Sequence, residues 1–394
     1  MSTKMECPYY YGINRGEFAL VACRNGQKTA NIIKSHLEDI CKEREELING
    51  MDQDKLLSHP GYDYFMRQLQ FINHVNRNNG VKVIETEIKD FKDGEVKPKL
   101  VNSIAGKDVY IVQNSLDPRH PSETDHNIVE LMLMLNTVKS AGAGNTSVIM
   151  PYMSYSKQDR RTGREPDSAM AILKVIQTMG AQRFFSMDLH APAITGFSDP
   201  NKMIINNLYA SSILMNYFED KGLDMWVAPD TGAGKMVRHF TKVTGLPMAL
   251  GYKYRSPDSS HEVEEQELLG YVEGMRVGII DDQSAGSTTL IGMAKKCKEN
   301  GATYIVGGVS HGLLLDDAEF KYRKAVKEGV LDELVITNTL IQPDEFINNN
   351  PYLKVLDALK FFAEAIFETH VSGSISRLYQ PTLRKSMFGE NHKI

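Results

Sequence analysis

The sequence predicts an α/β protein made of two consecutive domains, each built around a mainly parallel β-sheet. Short apolar segments alternate with segments of helical spacing along most of the 394 residues, and the alternation runs twice along the chain. Strands that alternate with helices form parallel sheets that carry helices on both faces. The length is that of two ordinary domains, and we place the boundary at about residue 200.

The first run of elements, in residues 1–200, predicts the N-terminal domain. It begins with an apolar strand at 18–23 and a helix at 28–41. Residues 42–80 are charged and polar, with a periodic piece at 62–75, and they predict a helical insertion on the surface. Apolar strands and helically spaced segments then alternate, at 109–113, 127–140, 146–150, 168–179 and 183–187.

The second run, in residues 201–380, repeats this alternation and predicts the C-terminal domain. Helices are predicted at 207–218, 234–244 and 288–300, and strands at 225–228, 248–250, 276–281 and 304–309. Residues 381–394 are predicted to be a tail, either frayed or bound within an oligomer. In open parallel sheets ligands bind beyond the carboxyl ends of the strands, so we expect the chemistry in the loops that follow strands.

Composition and charge exclude several classes of function. The net charge is −5, whereas nucleic-acid phosphates select for clustered Lys and Arg side chains, so we expect no nucleic-acid partner. The four cysteines, Cys7, Cys23, Cys41 and Cys297, include no C-x-x-C pair, which argues against a zinc knuckle or a redox motif. With no signal-type apolar segment and no run of about 20 apolar residues, we expect a cytoplasmic protein without a membrane span.

The strongest chemical signal is the loop that follows the predicted strand at 276–281. Two acidic residues, Asp281 and Asp282, end the strand, and small or hydroxyl residues lead into the next helix, namely Ala285, Gly286, Ser287, Thr288 and Thr289. Small residues let backbone N–H groups surround a phosphate, and the helix N-terminus adds partial positive charge. The carboxylates suit ribose hydroxyls or Mg²⁺ held through water. A capped helix after a strand is the structural alternative.

Three further loops carry candidate ligands for phosphate or metal. Asp230 ends a strand before a glycine-rich turn, where it could be metal-linked or could form an Asx turn. Asp188 and His190 alternate on an extended segment, so both side chains could face a metal or a phosphate, although a lone histidine is commonly structural. The basic loop 156–166 contains Lys157 and favours nucleotide binding beside the phosphate-type loops.

These segments, together and in this order, resemble the ribose-phosphate pyrophosphokinases, also called phosphoribosyl pyrophosphate synthetases. The resemblance rests on FKDGE at 91–95, VIMPYMSYSKQDRR at 148–161, MDLHAPAITGF at 187–197, VAPDTGAGK at 227–235, Lys253 with Arg255, and IIDD at 279–282. VITNT at 335–339 and VSGSISRLY at 371–379 also look familial. The match covers roughly residues 81–200 and 205–380.

The resemblance implies two tandem phosphoribosyltransferase-like (Rossmann-like) domains and a defined reaction. In this family the 1-hydroxyl of ribose 5-phosphate attacks the β-phosphorus of ATP, with Mg²⁺ as cofactor, and AMP leaves. The resemblance also implies a homo-oligomer, of which a hexamer built from dimers is one form. In such an oligomer one subunit lends a loop to the adenine site of its neighbour.

The family's functional positions match residues throughout this chain. Lys253 matches the catalytic lysine on a flexible loop, and Arg255 lies beside it. The residues that match ATP-binding positions are Phe91, Asp93, Gly94, Glu95, Lys157, Gln158 and His190. Those assigned to the metal are His190 and Asp230, with Asp188 beside them. The ribose-phosphate positions are Asp281, Asp282, Ala285, Gly286, Ser287, Thr288 and Thr289.

The chain departs from the family pattern around both substrates. The third acidic residue of the ribose-phosphate loop is absent, Lys157 stands where arginine is usual, and the basic loop after it is one residue short. Two alternatives therefore stand beside the transfer to ribose 5-phosphate. One is the same transfer to a larger 5-substituted ribose such as ADP-ribose. The other is a non-catalytic regulatory paralogue, against which the presence of Lys253, Arg255, His190 and Asp230 argues.

Overall fold

The structure, a computed structural model, describes residues 15–59, 61–255 and 264–379. Its strands are β1 (Phe18–Ala22), β2 (Val83–Ile84), β3 (Thr86–Asp90), β4 (Val96–Leu100), β5 (Asp108–Val112), β6 (Asn145–Ile149), β7 (Arg183–Met187), β8 (Ile204–Leu208), β9 (Met225–Ala228), β10 (Met248–Arg255), β11 (Glu264–Leu269), β12 (Arg276–Ser284), β13 (Tyr304–Gly312), β14 (Glu333–Thr337) and β15 (Leu353–Leu356). Its α-helices are α1 (Gln27–Asn49), α2 (Gln53–Leu57), α3 (Tyr62–Arg77), α4 (Thr124–Ser140), α5 (Ser168–Thr178), α6 (Ser211–Phe218), α7 (Gly234–Thr244), α8 (Thr288–Glu299), α9 (Ala318–Lys327), α10 (Asp344–Asn348) and α11 (Leu359–His370). None of the helices in these ranges is long and apolar enough to cross a membrane. The predicted tail at 381–394 lies outside the described residues.

The first sheet has six parallel strands in the order β2-β1-β5-β6-β7-β8. Every residue of β1 and β5 is buried, as expected for central strands that helices cover on both faces. The edge strand β8 pairs with β7, so the helix predicted from residue 207 begins at Ser211 instead. The first sheet therefore extends past residue 200.

The second sheet has seven strands in the order β11-β10-β9-β12-β13-β14-β15. Neighbouring strands are parallel except β10 and β11, which form an antiparallel pair. A separate antiparallel hairpin consists of β3 and β4. The predicted α/β class with mainly parallel sheets is confirmed.

Residues 42–80 are helical, as predicted, but their expected position on the surface is wrong. α1 continues to Asn49, and α3 buries an apolar face that includes Leu69, Phe71 and Ile72. This face packs in the same core cluster as the largely buried α11, which returns from the C-terminal half of the chain. Most described charged residues of this region occupy the outer side of amphipathic helices, whereas the inner side completes the core.

Candidate active site

A cavity of about 1270 Å³ lies at the carboxyl ends of strands from both sheets. Residues 188–190 after β7, residues 230–233 after β9 and residues 281–289 at the end of β12 line it. The structure thus brings together side chains that the sequence predicted at three separate strand ends. These side chains lie close together because the carboxyl ends of parallel strands share the same edge of each sheet.

His190 and Asp282 form an ion pair that joins the two sheets across this cavity. Nδ1 of His190 lies 2.7 Å from Oδ2 of Asp282. The hydrogen bond to Asp282 raises the pKa of His190. Burial acts to raise the pKa of Asp282, but the bond from His190 holds it below its ordinary value. Because a carboxylate only accepts hydrogen bonds, Nδ1 carries the proton and Nε2 is the nitrogen available to a ligand.

Asp281 is partly exposed as a whole residue, but protein atoms surround most of its carboxyl group. Burial, followed by the charges of Asp282 and Asp230, raises its pKa well above the ordinary value. Its Oδ1 accepts a hydrogen bond from the Asp282 amide over 2.9 Å. Hydroxyl donors or a cation would stabilise the ionised form of such a carboxyl group, so its environment suits a ribose ligand.

The predicted phosphate loop, residues 285–289, lines the cavity at the N-terminus of α8. No side chain caps this end of the helix, because the hydroxyls of Ser287 and Thr288 both donate to the carbonyl of Gly286, over 2.5 and 3.3 Å. Ser287 has a left-handed backbone, with φ of 66°. First-turn N–H groups without a side-chain cap, together with the helix dipole, favour an anion here.

Asp230 combines the two roles that the sequence left open. Its Oδ1 accepts hydrogen bonds from the amides of Gly232 and Ala233, over 2.9 and 3.1 Å, so the Asx turn is present. Asp230 also lines the cavity, as does Lys235 in the first turn of α7. Lys235 was not predicted as a site residue, although its place directly after the glycine-rich turn was the signal that could have identified it.

The structure separates the two basic-loop candidates. Lys157 lines the cavity, whereas Gln158 is not among the described residues that line it. The Gln158 side chain accepts a hydrogen bond from the Ser168 hydroxyl over 2.6 Å, and its carbonyl accepts one from the Ala169 amide. Gln158 therefore fixes the start of α5 in this conformation.

The ATP-loop candidates Phe91, Asp93, Gly94 and Glu95 form the turn between β3 and β4. This turn is exposed, Gly94 supplies its left-handed φ of 89°, and none of its residues lines the described cavity. At the base of the hairpin, Arg24 donates two hydrogen bonds to Asp90, each of 2.8 Å. The base of the hairpin is therefore attached to the segment after β1, while the residues of its tip do not line the cavity.

The catalytic candidates Lys253 and Arg255 lie on β10, whose backbone pairs with β11. Their side chains, and residues 256–263 between these strands, lie outside the described part of the chain. Tyr252, the residue before Lys253, lines the cavity.

Asp188 is buried, and its partners come from inside the protein. Its Oδ2 accepts hydrogen bonds from the Ala210 amide and the Ser310 hydroxyl, over 3.1 and 2.5 Å. Burial raises its pKa to about 6. Asp188 also has a left-handed φ of 36°, which is uncommon for a residue other than glycine.

The donor set at the cavity fits a metal that is shared with a substrate. Within the described residues, no three His, Cys, Asp or Glu side chains converge into a metal cage. His190, Asp230, Asp281 and Asp282 line the cavity singly or in pairs. Mg²⁺ is commonly held by one or two carboxylates together with substrate phosphates and water, so a sparse, oxygen-rich set is compatible with it.

Ser310 and His311, on β13, are functional candidates that the sequence did not identify. Nε2 of His311 lies 3.0 Å from the Met187 carbonyl, and Nδ1 lies 2.8 Å from the Thr339 hydroxyl. Burial lowers the pKa of His311 to about 4. Because a carbonyl only accepts, Nε2 carries the proton of the neutral ring. A valine-rich strand ending in SHG gave no local signal for these contacts.

The neutral state of His311 predicts a pH-dependent stability. Between pH 6.5 and about 4 the unfolded chain binds a proton at this position and the folded chain does not, so the free energy of unfolding falls as pH decreases. The full effect is about 3 kcal/mol. Denaturant titrations at several pH values should show a shallower decline for His311→Gln than for the wild type. Equal slopes for the two proteins would contradict the assignment.

The remaining wall of the cavity was not predicted at all. It consists of residues from α6, α7 and the C-terminal 3₁₀ turn, namely Ser211, Ser212, Met215, Met236, His239, Val243 and Tyr379. Apolar residues at helical spacing are indistinguishable from core residues in a sequence, so no motif could have marked them.

The fold and the cavity define an α/β enzyme with its candidate site between two mainly parallel sheets. A family model described as the N-terminal domain of ribose phosphate pyrophosphokinase matches residues 66–180. A second, described as the phosphoribosyl synthetase-associated domain, matches residues 257–380. The chain belongs to the ribose-phosphate pyrophosphokinase family.

Individual relatives agree with this assignment. The ribose-phosphate pyrophosphokinase of Listeria ivanovii is 32% identical over 318 residues, which are 79% of this chain and 94% of that protein. That of Caldanaerobacter subterraneus subsp. tengcongensis is 31% identical over 304 residues, 76% of this chain and 91% of that protein. The crystal structure of phosphoribosylpyrophosphate synthetase from Mycobacterium smegmatis has the same fold, with a TM-score of 0.71 and 24% identity over 91% of this chain and all of that one.

Proposed function

We propose that this chain transfers the pyrophosphoryl group of ATP to the 1-hydroxyl of ribose 5-phosphate, giving phosphoribosyl pyrophosphate and AMP. The observation that carries the proposal is the uncapped N-terminus of α8, which meets Asp281 and the His190–Asp282 pair in one cavity. This combination offers a phosphate cradle, an acceptor for ribose hydroxyls and a metal ligand at the length scale of one sugar phosphate.

The roles of the residues follow from the charges that the reaction creates. The 5-phosphate binds the amides of residues 285–289, and Asp281 accepts hydrogen bonds from the ribose hydroxyls. The 1-hydroxyl oxygen then bonds to the β-phosphorus and loses its proton to solvent, as the bond from that phosphorus to the AMP oxygen breaks and AMP leaves with that oxygen. Lys157, Lys235 and Lys253 offset the negative charge on the transferred group and on AMP, with Arg255 in support.

We assign the metal as Mg²⁺, with His190 and Asp230 as its protein contacts. When bound, Mg²⁺ would neutralise phosphate charge and polarise the phosphorus that is attacked. We assign Asp188 a structural role and not a metal contact, because two internal donors already occupy its Oδ2. Asp282 holds His190 with its Nε2 directed to a ligand.

The hairpin tip supports a homo-oligomer in which subunits complete each other's sites. Phe91, Asp93, Gly94 and Glu95 are exposed and do not line the described cavity, yet they match the adenine-binding loop of the family. We propose that they bind the ATP of a neighbouring subunit, together with the neighbour's Lys157. Three buried free thiols, Cys23, Cys41 and Cys297, fit a cytoplasmic location.

The test is AMP release from ATP and Mg²⁺ with ribose 5-phosphate, beside ADP-ribose and a control without sugar. We expect AMP in equal amount to a 1-pyrophosphorylated ribose 5-phosphate. No AMP with either sugar would contradict the proposal and would favour the regulatory paralogue, which would then be tested for binding to an active synthetase.

The larger sugar is a second candidate because of the size of the cavity. Its apolar wall adds space beyond the phosphate loop, and Ala285 stands where the family has an acidic residue. If kcat/KM is higher for ADP-ribose than for ribose 5-phosphate, the mechanism stands and the substrate changes.

A further inference from the structure

Two consecutive side chains of the second sheet hold the active-site segment of the first sheet. Ser310 donates to the carboxylate of Asp188, and His311 donates to the carbonyl of Met187. Met187 and Asp188 lie three and two residues before His190, the histidine to which we assign the metal. All of these contacts are buried, since Ser310 and His311 are at most 2% exposed.

The contacts depend on an irregularity in β13. In a regular strand, consecutive side chains point to opposite faces of the sheet, so Ser310 and His311 could not both reach one segment. The pairing of β13 with β14 shifts register between Gly308 and His311. Such bulges redirect side chains and are frequent beside active sites.

A second layer of hydrogen bonds fixes the two side chains. The Thr337 hydroxyl donates to the Ser310 carbonyl over 2.6 Å. The Thr339 hydroxyl donates to Nδ1 of His311 over 2.8 Å, and its oxygen lies 3.3 Å from the Ser310 carbonyl. The His311 ring also meets Tyr152 edge-on, with centroids 4.9 Å apart. His311 therefore has one orientation and one tautomer, in which Nε2 carries the proton and donates to the Met187 carbonyl.

The held segment is strained. Asp188 has a backbone φ of 36°, and a residue other than glycine keeps this backbone conformation only where its surroundings enforce it. The Ala210 amide provides one donor to its carboxylate from the first domain. Ser310 provides the other from the second domain, so the direction of His190 depends on how the two sheets are joined.

We propose that Ser310 and His311 are positioning residues that set His190 for metal binding. The inference rests on the proposed function, in which His190 contacts the metal. It adds that Ser310 and His311 on β13, and not only Asp282 on β12, determine the geometry of that contact. Loss of either donor should weaken metal binding without removing any residue that touches metal or substrate.

The test compares variants that differ in a single donor. Ser310→Ala removes the hydroxyl. His311→Gln keeps a donor at the distance of Nε2, whereas His311→Asn reaches only as far as Nδ1 and loses the bond to Met187. Thr29→Val is the matched control, because it removes a buried hydroxyl of α1 that pairs with the Asn114 side chain and not with residues 187–190, Ser310 or His311 in the described structure.

The readout is the dissociation constant of Mn²⁺ in the presence of ATP, measured by electron paramagnetic resonance, together with kcat and the KM values. We expect Ser310→Ala and His311→Asn to weaken Mn²⁺ binding about 10-fold, as is typical for outer partners of metal ligands. His311→Gln and Thr29→Val should remain near the wild type, and thermal unfolding tests whether each variant is folded.

The variant His190→Ala distinguishes failure of the proposed metal role of His190 from failure of the positioning role of Ser310 and His311. If His190→Ala leaves Mn²⁺ binding unchanged, the proposed metal role of His190 is wrong. If His190→Ala weakens binding but Ser310→Ala and His311→Asn do not, the positioning role alone is overturned. Equal effects of His311→Asn and His311→Gln, or of Ser310→Ala and Thr29→Val, would assign these residues to general stability.

Discussion

Replacing Lys253 by alanine should lower kcat by about 100- to 1000-fold, the usual cost of removing a group that stabilises transition-state charge. Lys253 matches the catalytic lysine of the family, and its backbone lies on β10 next to the cavity-lining Tyr252. A side chain that acts mainly in the transition state affects turnover more than substrate binding. Steady-state kinetics and the affinity for a non-hydrolysable ATP analogue should therefore respond differently, with kcat falling and the analogue's affinity nearly unchanged.

A control variant and a chemical rescue experiment test this prediction further. Lys298→Ala removes an exposed lysine from the last turn of α8, outside the cavity, and should leave kcat unchanged. Added alkylammonium ions should partly restore Lys253→Ala if the missing element is a positive charge. Near-normal turnover of Lys253→Ala would show that another cation stabilises the departing AMP.

Mixed oligomers should regain activity that neither parent variant has. A chain with Lys253→Ala keeps its hairpin tip, and a chain with Phe91→Ala and Glu95→Ala keeps its lysine. If each site combines the cavity of one subunit with the hairpin of its neighbour, random mixing creates intact sites at about a quarter of positions. Co-expression, purification of the mixed oligomer and assay of AMP release measure this recovery.

In the control for this experiment, no subunit contains Lys253. Mixing Lys253→Ala chains with chains that carry all three substitutions should give no recovery, because no cavity is complete. If the first mixture also fails to recover, although it contains both subunits, the hairpin acts within its own chain or has no role in catalysis.

Much of the fold was accessible from the sequence because its signals are local. The strands at 183–187 and 225–228 and the helix at 234–244 coincide with β7, β9 and α7, since their periodicity and their glycine-rich boundaries are encoded within a few residues. The loops after these strands were identified for the same reason, because acidic, small and hydroxyl residues at strand ends have a recognisable composition.

The family resemblance went further than the residues alone. It supplied the reaction and the candidate roles of Lys253, His190 and the hairpin tip, none of which periodicity or spacing could assign. The choice between an Asx turn and a metal contact for Asp230, which the residues left open, was not a true choice, because the structure allows both.

By itself, the sequence determined the α/β class, the order of its elements and the loops that carry chemistry. Only the tertiary structure decided that residues 42–80 complete a core with α11, and that His190 pairs with Asp282 across the two sheets. Only the tertiary structure revealed the hydrogen bonds from Ser310 and His311 to the segment before His190. Contacts between residues far apart in the chain depend on how whole sheets pack and on a shift of register in β13, which neighbouring residues in the sequence do not encode.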